Sequence, residues 1–458
     1  MYVSAMRNQN RKNSELRETF KISITEGVYS QIYTSIAGTG SVFLTKLLVI
    51  LGASSLQFGI LAASGQVFLV LMPLGALVTR KLAFHRDATV KWAIAGRALA
   101  PLLGVIPLFL SNKLSLIGIL SVFALSTALL SVSANIWTGW MARMVPLRIR
   151  GRFFAKRNAI LLSFGFSIAF LLGLLVDSFS NNVAQQKIVF AGLFLFAGII
   201  GLIGLKILAK QPEKPTEVSG LPVNKIFKEP FKDKNFRKLC VFGAWWMLAV
   251  GIGAPFWQPF MIEVLKMGVA KILLYGMTST IGSIITLQYW GRFIDKYGNI
   301  AAMKLAVTIS SIVPFVWLFV TEQTVWTIYL ESLVAGSMWG CIGIVTTNLV
   351  LAVAPKAKAQ VYSGLYGAFA GAGMIITMLL SGILMPNPII IFGHSLHSMQ
   401  VLFLITAFAR LSALIPLSKV KEPNATPLTV VLRNLRLWSK VRLVNLRITL
   451  SKDKSQTK

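Results

Sequence analysis

Acidic residues are scarce in this chain: 458 residues hold 15 Asp+Glu against 46 Lys+Arg, with three histidines and two cysteines. Charged residues of either sign make up only 13%, where soluble domains carry about 25%, so water is not the solvent for most of the chain. Cys240 and Cys341 both lie in apolar stretches, and two cysteines so placed supply neither a disulfide framework nor a metal-ligand spacing. His-Glu-x-x-His, a P-loop lysine motif and Cys-x-x-Cys are all missing, which removes the usual signatures of metalloprotease, nucleotide-hydrolysing and dithiol chemistry. No enzymatic activity, cofactor or metal is therefore expected, and any solute accumulation is expected to draw on an ion gradient. Met1 to Lys21 is polar and basic without a short apolar core and small-residue cleavage site, so no cleaved signal peptide is expected.

What is abundant is apolar length. The chain is 55% hydrophobic with a mean hydropathy of +0.70, and at about 20 residues per spanning helix it can supply roughly twelve spans. Apolar windows between polar or Pro/Gly punctuation predict them at 24–51, 56–79, 90–110, 114–141, 157–178, 188–208, 239–262, 271–290, 300–321, 325–353, 360–385 and 398–418. The expected organisation is a tail over 1–22, six spans within 23–208, a linker with an amphipathic segment over 209–238, six spans within 239–418 and a basic amphipathic tail over 419–458. The formal charge of +31 would suggest nucleic acid in a soluble chain, but 38 of the 46 Lys+Arg fall in the two tails and alternate connections. The other connections hold only Lys113, Lys187, Lys266 and Lys271, and this asymmetry predicts both termini in the cytoplasm.

The halves read as copies. Gly75-Ala-Leu-Val-Thr79-Arg80-Lys81 follows the second span, and Gly291-Arg-Phe-Ile-Asp295-Lys296-Tyr-Gly298 follows the eighth, 216 residues later. After the fourth span comes Pro146-Leu-Arg148-Ile-Arg150-Gly151-Arg152, and after the tenth Pro355-Lys356-Ala-Lys358, 209 residues later. Two landmarks with nearly one offset indicate duplicated halves related by an axis along the membrane normal. With Gly291-x-x-x-Asp295-Lys296-x-Gly298 as its sharpest element, the chain over about 22–420 resembles the major facilitator superfamily. That resemblance implies an all-α polytopic membrane protein of twelve helices in two six-helix bundles, a central cavity lined by the first, fourth, seventh and tenth spans, and alternating access by rocking of the halves.

Asp295 places an anion at a helix end, where it can accept from orphan N–H groups of a neighbouring helix and complement the helix dipole. The resemblance implies that the partner is the start of the fifth span, near Arg152 to Arg157. Such a latch would hold the cytoplasmic side shut, so Asp295→Asn is expected to favour inward opening, read as changed cysteine accessibility on the two faces. Stabilising a turn is the blander role. In the first-half copy Thr79 replaces the aspartate, so latching is expected to be asymmetric. The in-span arginine and Gly-Pro kink of drug–proton antiporters are also missing from the fourth and fifth spans, and drug efflux is not inferred.

Charges within spans cost about 2.5–3.5 kcal/mol at a helix centre, which makes each one a candidate. Glu331, about six residues into the tenth span, is the first choice as proton carrier or counter-charge; a buried neutral acid is the alternative. Lys46 in the first span is its candidate cation, against a snorkelling role. Arg97, Arg410 and Glu26 complete the set, with Arg97 and Arg410 assigned mainly structural roles. Gln31, Asn135 and Gln258 are candidate hydrogen-bonding contacts, and Trp245, Trp246 and Trp339 candidate stacking surfaces, while Trp257 is assigned to the outer aromatic belt. Gly364, Gly367 and Gly371 share one face, as close helix packing requires. The 225–236 segment and the stripe Val430, Leu437, Val441, Val444 and Ile448 read as amphipathic helices on the inner leaflet.

The expectation is a secondary transporter of a small organic solute in the inner or plasma membrane, proton-coupled through Glu331, acting as a monomer, with anionic lipid headgroups and no nucleic acid as further partners. Two rivals stay open at this stage. One is a non-transporting receptor or an assembly factor handling pigment or lipid; the other is a lipid translocator.

Overall fold

The computed structural model describes residues 2–80, 83–179, 182–213, 215, 228–355, 359–391, 394–422, 426, 430 and 433; the side chains of 2–14, 72–80 and a few scattered positions lie outside that description. The basic stripe of the C-terminal tail and most of the central linker fall outside it as well. Helices run over α1 Tyr2–Ala37, α2 Val42–Ile50, α3 Ser55–Arg80, α4 Arg86–Arg97, α5 Ala100–Phe109, α6 Asn112–Met144, α7 Leu147–Ser178 and α8 Val183–Leu208. After a 3-10 turn at Pro230–Lys232 come α9 Lys234–Gly253, α10 Trp257–Glu263, α11 Val269–Tyr297, α12 Asn299–Val316, α13 Trp326–Val353, α14 Ala359–Ile383, α15 Ser398–Ser412 and α16 Leu414–Ser418. In hydrocarbon every backbone polar group must be satisfied internally, and apolar runs of this length do so as helices. Eleven helical stretches among the described residues are long and apolar enough to cross a membrane, and the apolar stretch Ser55–Leu71 of α3 is shorter.

Four predicted spans are broken rather than continuous, among them the twelfth, between α15 and α16 at Ala413. The first interrupts between α1 and α2 at Gly38-Thr-Gly-Ser41, where Gly40 has φ +76 and Ser41 caps α2 by accepting from Leu44 N. The third breaks between α4 and α5 just before Pro101, and the seventh between α9 and α10 at Pro255. Helix α1 also continues back through the segment expected to be a polar tail, starting at Tyr2. Among the described residues one short antiparallel hairpin accompanies the helices, Ile389–Ile391 with His394–Leu396, where three consecutive isoleucines favour strand over helix.

In the first half α1 packs on α7 and α8, α3 on α6, and α4 and α5 on α6 and α8; in the second, α9 packs on α14 and α15, α11 on α13, and α12 on α13 and α15. Glycines allow the closest approaches. A Cβ added at Gly336 would lie 1.8 Å from the Ser279 carbonyl oxygen, and one at Gly282 would lie 2.2 Å from that of Leu333, so α11 and α13 touch backbone to backbone. Gly371, on the predicted glycine face, packs against Leu69 of α3.

The duplication is visible in side-chain detail. Glu213, past α8, accepts from the backbone N–H groups of His85 and Arg86 at the start of α4. Glu422, past α16, accepts from those of Asn299 (3.0 Å) and Ile300 (2.7 Å) at the start of α12. The two carboxylates are 209 positions apart and the capped N–H pairs 214 apart, within the range of the sequence offsets, 209 to 216. Each satisfies orphan donors and complements a helix dipole. A second pair of equivalent places holds buried arginines. Arg97 on α4 donates to the Gly201 carbonyl of α8 (2.8 Å), and Arg410 on α15 donates to the Ser310 carbonyl of α12 (3.1 Å). Position 310 follows 97 by 213 and position 410 follows 201 by 209, so donor and acceptor have changed helices between the copies.

Candidate substrate cavity

The halves meet along α3 with α14, along α7 with α11, and through α2 against α10 and α11. Among the described residues their polar contacts gather at the end away from the Arg152 and Asp295 connections. Thr45 donates to Gln258 Oε1 (2.6 Å), and Gln258 Nε2 donates to the Gly40 carbonyl (2.9 Å). Asp177, near the end of α7, accepts from Val269 N (2.8 Å) and Ala270 N (3.0 Å) at the start of α11. The largest apolar cluster closes the same end and draws on both halves, including Phe43, Phe58, Phe256, Phe260, Trp317 and Phe403.

Beneath that closure lies a cavity of about 900 Å³. Its walls near the closed end are buried, as at Phe58, Ile272 and Trp317, whereas mid-helix walls are open: Leu162 is 46%, Ile284 64% and Trp339 38% exposed. Among the described residues the cavity is thus sealed at the bonded end, and its exposed walls lie on the side of the basic end. Asp295 and Arg152, the predicted latch, are both exposed, and Asp295 makes no hydrogen bond or ion pair among the described residues. Lys296 lies over the Tyr297 ring at 5.1 Å, and Gly298, with φ +91, makes the turn into α12. Gly291 has open space at its Cβ position. Gly75, Thr79 and Arg80 lie in the part of α3 whose side chains are not described. Arg157 ties α7 to α1 instead, donating to the Ser23 carbonyl and hydroxyl (3.1 Å each) with its guanidinium over the Trp137 ring.

Four of the nine predicted solute or coupling residues, Glu331, Gln31, Gln258 and Trp339, line the cavity; Lys46, Glu26, Arg97, Asn135 and Trp245 do not. Glu26 and Arg97 pair with each other at 3.1 Å, buried among α1, α4 and α8, and Arg97 also donates to Ser30. Asn135 donates to the Ser131 carbonyl of its own helix (2.9 Å), and Trp245 to Ser412 (2.9 Å). Lys46, half-buried on α2, interacts electrostatically with Asp177 and Lys266 at the closed end. Trp257, assigned from sequence to the outer belt, lines the cavity and stacks on Phe403 with centroids 3.8 Å apart and planes 6° apart. Trp246 is buried against Trp339, with centroids 6.0 Å apart.

Sequence reasoning missed the company Glu331 keeps. Tyr275 of α11 donates its hydroxyl to Glu331 Oε2 (3.2 Å), and Arg410 of α15 lines the same cavity. Both helices belong to spans outside the four named by the resemblance. Arg410 carried a signal, a charge within a span, but its depth alone does not say which way it faces.

A helical membrane protein whose halves enclose a solute-sized cavity, closed at one end among the described residues, is built as a transporter. The Major Facilitator Superfamily model matches residues 27–378, and the chain belongs to that family. A "Probable sugar efflux transporter" of Helicobacter pylori is 23% identical over 322 residues, covering 63% of this chain and 78% of that protein. A protein of the same description from Pasteurella multocida is 25% identical over 291 residues, covering 57% and 67%. Among solved structures, a D-xylose–proton symporter aligns with a TM-score of 0.68 at 14% identity over 90% of this chain and 99% of that one. A nucleoside transporter aligns with a TM-score of 0.65 at 13% identity over 88% and 100%. The chain is accordingly a multi-pass cell-membrane secondary transporter of a small molecule, and not an enzyme.

Proposed function

We propose that the chain moves a small sugar-class solute through the central cavity by rocking two six-helix bundles, 23–208 and 239–418, with α3 completing twelve spans and both termini in the cytoplasm. The observation carrying this reading is a cavity sealed where the halves are bonded, with its exposed walls on the side of the basic end. The 38-to-4 distribution of Lys+Arg supports assigning the basic end to the cytoplasm, which makes this the inward-facing form. In the reading, Gln31, Gln258, Thr45 and the other cavity hydroxyls supply hydrogen bonds to solute hydroxyls, and Trp257 and Trp339 supply flat apolar faces. This is the balance of apolar wall and a few placed polar groups that small-molecule sites show. The relatives' description supports the sugar class. Glu331 is the proton carrier, since a carboxyl at membrane depth, bonded by the Tyr275 hydroxyl and the Trp317 side chain, is inexpensive when protonated and costly when charged. The Asp295 latch with Arg152 belongs to the opposite, outward-facing form. The working unit is a monomer, with the basic linker and tail against anionic headgroups.

The test is counterflow in proteoliposomes with a panel of labelled sugars. Saturable, solute-specific uptake that is lost in Glu331→Gln under an imposed proton gradient, yet retained in equilibrium exchange, supports the reading. No solute-dependent flux with any sugar refutes it and moves the chain toward the handling or receptor roles.

A further inference from the structure

The two buried arginines sit on opposite members of the equivalent helix pairs α4–α8 and α12–α15, and their surroundings differ. Arg97 has the Glu26 carboxylate at 3.1 Å, the Ser30 hydroxyl and the Gly201 carbonyl. Arg410 has the Ser310 carbonyl and, among the described residues, no carboxylate within ion-pair distance; the Nε of each arginine is buried without a hydrogen-bond partner. Arg97 lies away from the cavity, whereas Arg410 lines it, and Arg410 is only 5% exposed. Among the described residues it is the one Lys or Arg in the cavity lining. A guanidinium taken out of water demands an anion and hydrogen-bond acceptors, and its planar fork matches a carboxylate in two-point contact. The first half meets that demand with its own glutamate. In the second half the nearby acid is Glu331, which interacts with Arg410 electrostatically but gives a hydrogen-bond site to Tyr275 instead.

We propose that Arg410 is an anion-recognition subsite, so that the cavity takes an acidic sugar, such as an aldonate or uronate, by its carboxylate together with a proton on Glu331. The logic is charge balance. With Glu331 ionised, its charge and that of Arg410 offset each other, and a solute carboxylate entering the cavity finds no net positive charge to hold it. With Glu331 protonated, Arg410 is left unbalanced and the solute carboxylate replaces the missing negative charge. The groups facing Glu331 from the packed elements are Tyr275 on α11, Trp317 beyond α12 and Arg410 on α15, and Arg410 is the only cation among them. Proton and anion therefore bind together and cross together, with one proton taken up at a Glu331 oxygen and released on the other face. Neutral sugars lack the group that Arg410 recognises and bind without a proton requirement. The inference rests on the central cavity being the solute site.

The experiment is binding and counterflow of gluconate and glucose, at acidic and alkaline pH, with wild type, Arg410→Gln and Glu331→Gln. The expected result is gluconate binding that strengthens as pH falls, weakens about tenfold or more in Arg410→Gln, as loss of a charge-assisted hydrogen-bonded pair gives, and becomes independent of pH in Glu331→Gln. Glucose binding is expected to be weaker and little changed by pH. Glu331→Gln keeps the shape of the side chain and mimics its protonated form, so it reports on the idea even where Arg410→Gln fails to fold. Gluconate affinity that ignores pH in wild type, or still depends on it in Glu331→Gln, overturns the inference. So does glucose preferred over gluconate at every pH, an outcome that leaves the transporter reading standing.

Discussion

The bond between Asp177 and the start of α11 crosses from one half to the other, so weakening it should act on conformation. Asp177 is half-buried and offers both oxygens, one to Val269 N at 2.8 Å and one to Ala270 N at 3.0 Å. Gly268, the N-cap of α11, makes no side-chain capping bond, and a Cβ there would lie 2.5 Å from an Asp177 oxygen, so the carboxylate of α7 serves as the cap. Asp177→Asn keeps one acceptor but loses the charge at a helix N-terminus, and its amide nitrogen faces an N–H. Cap substitutions cost about 0.5–2 kcal/mol and the helix-dipole part about 0.3–1 kcal/mol, giving a loss on the order of 1.5 kcal/mol. Because the bond exists only when this end is closed, the loss appears as a shift of about tenfold in population toward the form open at this end. Spin-label distances between the α7 and α11 ends, measured in lipid nanodiscs, should show a longer component rising in the variant. A distance distribution identical to wild type, with unchanged accessibility of a cysteine at the cavity wall, refutes the reasoning.

Three further substitutions probe the framework. Glu26→Gln leaves Arg97 buried without its 3.1 Å counter-charge and should lower stability by about 3 kcal/mol; a melting curve in detergent matching wild type would show the pair to be dispensable. Gly336→Ala forces a methyl into the Ser279 carbonyl and should cost about 1–3 kcal/mol through overpacking, whereas the same change at Gly276, where a Cβ meets nothing within 4 Å, should leave the melting temperature unchanged. Glu422→Gln removes the charge that caps α12 and should cost about 1 kcal/mol, with earlier hydrogen exchange at Asn299 and Ile300 than elsewhere in α12; uniform exchange across that helix would contradict the capping role.

How much of this was legible beforehand follows from what a sequence encodes. Long apolar runs and the Lys+Arg asymmetry have no alternative outcome in a bilayer, so helices fall where hydropathy put them, and Gly298, the last residue of its motif, makes the turn between α11 and α12. Breaks are harder to read, because Gly38, Gly40 and Pro255 interrupt spans while Pro107 and Pro314 lie inside α5 and α12. Facing is harder still. Thr45 lines the cavity and Lys46 beside it does not; Gln31 does and Glu26, little more than one turn earlier, does not. One helical step turns a side chain by about 100°, so knowing which span a residue occupies says nothing about its direction. The Glu26 and Arg97 pair was visible as two in-span charges, but only the packing of α1 on α8 and α4 shows that they satisfy each other.

The claim that the halves must separate at the bonded end during each cycle is tested most directly by locking them there. Thr45 and Gln258 touch across the halves at 2.6 Å, and Cys240 and Cys341, both buried, are replaced to leave Thr45→Cys and Gln258→Cys as the reactive pair. With a short thiol cross-linker in place, counterflow in proteoliposomes is predicted to stop, and to return when a cleavable linker is cut by reductant. Flux that continues unchanged through the cross-linked protein would contradict alternating access through this cavity.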